Sequence, residues 1–166
     1  MDIIRRHGVR VFRMYNSALG HRKQDVLRFI KTAEAFLDCA EVFAKRKSLQ
    51  VEQLSVIYLL IGRALELVLK SCLIMNGSTK NEQKKNNHNL TSLIQKAKDV
   101  KVLELSMEEK EAISQLNKYY YERKDLGYGI CEIELSSYEE YFQMTRKILK
   151  KLNKYGNNMP DENQRY

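Results

Sequence analysis

A chain of 166 residues is long enough for one domain with a single hydrophobic core. Hydrophobic residues at 43% and charged residues at 30% exclude a disordered polymer, and one proline with seven glycines argues against a turn-rich β fold. A net charge of +8 favours nucleic acid or an acidic protein as partner, although a lysine-rich solvated surface fits the same number.

No apolar run approaches the roughly 20 residues that a membrane span needs. The longest, from Val56 to Ile61 and onward, is broken by Arg63, Glu66 and Lys70, so no membrane association is expected. The N-terminus lacks a hydrophobic signal core. Cys39, Cys72 and Cys131 are odd in number and form no Cys-x-x-Cys motif, which suits a reducing, cytoplasmic setting. Two of them are expected on apolar helix faces. Three histidines without ligand spacing lead to the expectation of no metal and no cofactor.

Residues 1–22 form a basic segment with Arg5, Arg6, Arg10, Arg13 and Arg22. Its apolar residues fix no period, so a short helix, a strand or a frayed arm all fit. A first long helix is expected from about Lys23 to Arg46, where Val26, Phe29, Ile30, Ala33, Phe36, Leu37, Ala40 and Phe43 recur at three- and four-residue steps. A second is expected from Val51 to Asn76, apolar nearly all round and therefore the buried centre of a bundle. Asn76-Gly77 should end it.

After a polar loop, a short third helix is expected from Asn89 to about Lys98. Ser106 and Glu109 form a capping box for a fourth, carrying Ala112, Ile113, Leu116 and Tyr120 and fading between Arg123 and Gly129. Residues 130–135 alternate weakly, as a short extended stretch would. Ser137 and Glu140 form a second capping box for a last helix to about Lys154. The fold class is thus all-α: an up-down bundle of about five helices over residues 23–155, with a polar, disordered tail over residues 156–166.

Three groups of residues could carry chemistry. Gly62, Glu66 and Lys70, four apart with Arg63 beside them, share one face of an otherwise apolar helix. Glu66 ahead of Lys70 at i,i+4 is the favourable order for an ion pair. The seam either fixes helix packing or walls a polar pocket. His88, in Asn87-His88-Asn89-Leu90, sits where capping side chains belong and could reach back to Glu66. That structural hydrogen bond is the expectation ahead of catalysis. Finally, residues 119–129 combine Tyr119, Tyr120, Tyr121 and Tyr128 with Arg123 and Lys124. Aromatics beside cations stack unpaired bases and hold phosphates, while packing of Tyr120 in a core or interface fits as well.

The order of these features resembles the HEPN domain family. The residues that carry the resemblance are Gly62-Arg63-Ala64-Leu65-Glu66-Leu67-Val68-Leu69-Lys70, then Asn76-Gly77, then His88-Asn89-Leu90 and Leu93, then Leu116-Asn117-Lys118-Tyr119-Tyr120. The resemblance covers about residues 23–155 and implies a homodimeric helical domain of prokaryotic defence or toxin–antitoxin systems. Many members are metal-independent ribonucleases in which an Arg and, a few positions later, a His handle phosphate charge and proton transfer. Arg123 stands at the counterpart of that Arg, but Tyr128 stands where the His belongs, and a phenol is a poor base at neutral pH.

The resemblance therefore implies a non-cleaving member that binds RNA, a nucleotide or a cognate protein, with Tyr119, Arg123, Lys124 and Tyr128 as binding residues. The alternatives are a ribonuclease using Arg123 with Tyr128 or another donor, and a pure protein-interaction module.

Overall fold

The structure is a computed structural model. It describes residues 2–46, 49–79, 82, 88–97, 103–122 and 138–159, with side chains from residue 22 onward except at 51, 52 and 122. All of the regular structure described is helical: α1 (Asp2–Ala44), α2 (Val51–Met75), α3 (Leu90–Ala97), α4 (Met107–Asn117) and α5 (Tyr138–Asn157). A single wider turn of π-helical winding, Lys118–Glu122, continues α4.

The first expected helix begins much earlier than Lys23. It runs unbroken from Asp2, so residues 2–22 are helical rather than a strand or a separate short element. At about 1.5 Å per residue α1 is roughly 65 Å long.

The apolar α2 is the centre of the bundle, in contact with every other described element. Leu54, Ile57, Tyr58, Ile61, Leu65, Val68, Leu69 and Cys72 are buried there, as are Leu67, Leu73 and Ile74 on its other sides. Val26, Ile30, Ala33, Leu37 and Ala40 of α1 and Tyr141, Ile148, Leu149 and Leu152 of α5 close around it. Cys72 lies in this core, and burial pushes its thiol up to about 12. Cys39, by contrast, is exposed on α1 rather than on its apolar face. None of the described helices is long and apolar enough to cross a membrane.

The helix ends follow the local chemistry. Gly77 takes φ +96, and its N–H donates to the Ile74 carbonyl while that of Ser78 donates to Leu73. That is the paired 5→2 and 6→1 pattern in which a left-handed glycine satisfies the last carbonyls of a helix. Ser106 and Glu109 form the expected reciprocal cap on α4. Ser137, the second expected cap, lies outside the described residues, as do residues 130–135 and 160–166.

The expected tail starts too early. Gly156 is still inside α5 and is buried against α1, where an added Cβ would stand 3.3 Å from Ile30 Cδ1. Its small size serves a close helix crossing there rather than a stop. Across the same α1–α5 contact, Arg146 bridges Asp38 at 3.2 Å and Glu41 at 2.7 Å.

At the start of α3 the Asn89 side chain accepts from Ser92 N–H at 2.9 Å. The buried Asn117 side chain accepts from Leu90 N–H at 2.7 Å, tying the first turn of α3 to the last residue of α4. Asn117→Ala would leave that buried donor without its acceptor. A loss of about 1–2 kcal/mol in chemical denaturation is expected, with faster hydrogen exchange at Leu90 than at the centre of α2.

Candidate functional site

The polar seam of α2 converges on one carboxylate. Glu66 is fully buried, at 0% exposure, in a helix otherwise packed by aliphatic side chains. A charge there is costly unless it is paired and hydrogen-bonded, and Glu66 has four partners. One turn later Lys70 Nζ donates to Oε1 at 2.5 Å. Arg63, three residues earlier, donates to Oε2 through Nη1 at 2.6 Å. The Tyr120 hydroxyl donates to Oε2 from the wide turn after α4. His88 Nδ1 lies 3.2 Å from Oε1 and 3.1 Å from Oε2.

Burial alone would raise this carboxyl. The hydrogen bonds from Lys70, Tyr120, His88 and Arg63 outweigh it and hold Glu66 at about 2. Burial and the neighbouring carboxylate push the Tyr120 phenol upward, so it stays a neutral donor. Arg63 is desolvated as well, but Glu66 and then Tyr120 raise it further and keep it charged.

A carboxylate partner selects the histidine tautomer with its proton on Nδ1. Arg63 Nη1 is 3.4 Å from that same nitrogen. With both atoms donating to Glu66, their proximity is a close approach around a shared acceptor and not a bond between them.

Arg63, Glu66, Lys70 and His88, singled out as a seam from spacing, are thus one cluster. Tyr120, left by the sequence between base stacking and packing in a core or interface, is the member that neither reading placed on Glu66. The sequence signals the close approach, though not its partner, at Gly62. An added Cβ at Gly62 would stand 2.5 Å from Tyr120 Cγ and 2.9 Å from its Cβ. A glycine inside a buried helix, one turn before a buried carboxylate, marks the place where another chain segment comes close.

The exposed side of the cluster opens into a groove of about 490 Å³ lined by Phe36, Leu59, Leu60, Arg63, His88, Tyr120 and Tyr121. Tyr121 and Leu59 are exposed there, and the His88 side chain is 63% exposed. Tyr119 takes no part in this lining. It packs on Tyr58 with ring centroids 5.1 Å apart, so of the three consecutive tyrosines one faces the core, one the carboxylate and one the groove. Arg123, Lys124 and Tyr128, the remaining expected binding residues, lie outside the described residues.

No family model, curated protein or solved structure matches the chain.

What the groove offers is therefore read from its own residues. It has aromatic and aliphatic walls, a guanidinium pinned by a buried carboxylate, and an imidazole turned by the same carboxylate. Pinning matters because a pre-ordered Arg loses less side-chain freedom when it meets a ligand.

Proposed function

We propose that this chain is a HEPN-like helical module that binds single-stranded nucleic acid in the groove between α1, α2 and the turn after α4, and does not cleave it. The observation that carries the reading is the convergence of Tyr121, Phe36, Arg63 and His88 on one open cavity. Unpaired bases stack on aromatic faces without demanding a sequence, while cations beside them hold the backbone. The net charge of +8 supplies long-range attraction. On α5, Lys150, Lys151 and Lys154 follow Arg146 and Lys147, which are paired with Asp38, Glu41 and Glu109, and no acidic residue lies between Tyr141 and Asn157. This basic face adds to the field that would draw in a polyanion.

The test is fluorescence anisotropy with short labelled oligoribonucleotides. Wild-type protein is expected to bind them, with affinity falling as salt rises. Tyr121→Ala removes one exposed ring and is expected to cost about 1–3 kcal/mol of binding, with an unchanged melting temperature. Binding that ignores both salt and Tyr121 would end this reading. The ribonuclease alternative rests on Arg123 and Tyr128, and Arg123→Ala in an RNA cleavage assay decides it.

A further inference from the structure

The Glu66 carboxylate gathers its partners on both oxygens. One carboxylate faces two permanent cations, with Lys70 on Oε1 and Arg63 on Oε2. The Tyr120 hydroxyl is a neutral donor to the same group. The groups of the cluster that border the groove are Arg63, His88 and Tyr120.

We propose that Arg63 and His88 together form a seat for one phosphate of the bound strand, and that the seat is complete when His88 is protonated. This rests on the groove reading above and specifies which part of the strand goes where.

The geometry assigns each donor. His88 spends Nδ1 on Glu66, at 3.1 and 3.2 Å from its two oxygens. That bond orients the ring and leaves Nε2, on its other edge, for a ligand. In the neutral ring Nε2 carries a lone pair and cannot donate to a phosphate oxygen. In the imidazolium both nitrogens donate, one to Glu66 and the other outward. Arg63 spends Nη1 on Glu66, and its planar fork has further N–H donors suited to a phosphate.

Among the described residues, Glu66 and Arg63 of α2 meet His88 directly, Lys70 lies on the same carboxylate, and Tyr120 and Tyr121 of the wide turn share the groove wall. The groove-lining residue from α1 is Phe36, which is uncharged. Protonation of His88 would add both a donor and a positive charge on the groove side, where a phosphate would meet them together with Arg63. Phosphate binding and proton uptake are then linked, each favouring the other.

The experiment compares two labelled oligoribonucleotides of one sequence, one with the native backbone and one with a neutral methylphosphonate backbone. Each is titrated in mildly acidic and mildly alkaline buffer against wild-type protein and His88→Gln. Glutamine still reaches Glu66 through its amide but cannot take up a proton, and a thermal melt checks that the exposed substitution leaves the fold intact.

The native strand is expected to bind wild type several-fold more tightly in acid. His88→Gln should abolish that pH dependence, and the neutral strand should be indifferent to both variables. Competition by a nucleoside 5′-monophosphate would support the seat and identify a terminal rather than an internal phosphate as its occupant. If His88→Gln binds the native strand like wild type at both pH values while Tyr121→Ala still weakens it, the seat is refuted and the groove reading stands. Absence of any binding removes both.

Discussion

Glu66→Gln should lower the stability of the fold by about 3 kcal/mol at neutral pH, and the deficit should shrink in strong acid. The sign follows from the direction of the shift. The folded-state carboxyl sits at about 2, against an ordinary value of 4.5. The unfolded chain therefore binds the Glu66 proton more readily than the folded one. The stabilisation this provides is fully present above about pH 4.5 and is lost as pH falls toward 2. Holding the carboxyl at about 2 instead of 4.5 corresponds to roughly 3 kcal/mol.

Glutamine also replaces one acceptor oxygen with a donor, which must then confront Lys70, Arg63, Tyr120 or His88. Removing one member of a buried charged group typically costs about 3–5 kcal/mol, because the partners stay behind uncompensated. Urea denaturation of wild type and Glu66→Gln from neutral to strongly acidic buffer measures this. Two stability curves that run parallel down to the lowest pH would mean that Glu66 is not held ionised in the fold.

Much of this cluster was legible because most of it is local. Arg63, Glu66 and Lys70 are brought together by the three- and four-residue spacing of one helix, and the apolar surroundings announce that the carboxylate is buried. His88 was reachable too, since a loop leaving the end of α2 returns the chain to its side. Tyr120 was not. Its spacing after Leu116 places it inward, as the structure finds, but inward has many targets. Only the three-dimensional path shows its hydroxyl on a carboxylate 54 positions away.

The extent of α1 was hidden for a different reason. Residues 2–22 mix arginines with apolar residues in no settled period, so no buried face advertises a helix. Helix propagation needs no such face once the regular stretch from Lys23 onward has nucleated, and no proline intervenes. The groove was illegible for a third reason. Phe36 was counted with the core face of α1, yet it is only partly buried and forms part of the cavity wall.

Gly62→Ala is the sharper probe of how the site is assembled, because it alters no charge and no hydrogen-bonding group. The added methyl would stand 2.5 Å from Tyr120 Cγ and 2.9 Å from its Cβ. Contacts so close to the backbone of the turn cannot be relieved by swinging the end of a side chain, so either the turn or α2 must move. Forcing an extra methyl into a packed interior costs about 1–3 kcal/mol. A turn that retreats also pulls the Tyr120 hydroxyl from Glu66, forfeiting a bond to a charged group worth about 1.5–3 kcal/mol.

The expected result is a loss of several kcal/mol in denaturation, from a substitution that would ordinarily favour a helix. If the conflict is with Tyr120 in particular, removing its whole side chain must relieve it, since alanine would keep the Cβ that stands 2.9 Å away. Tyr120→Gly alone is destabilising through its lost packing and lost bond, but Gly62→Ala added to it should cost little more. The double variant is then markedly less unstable than the sum of the single ones, a coupling that independent sites do not show. Strict additivity would mean that Gly62 is small for some other neighbour and that Tyr120 reaches Glu66 without needing the space.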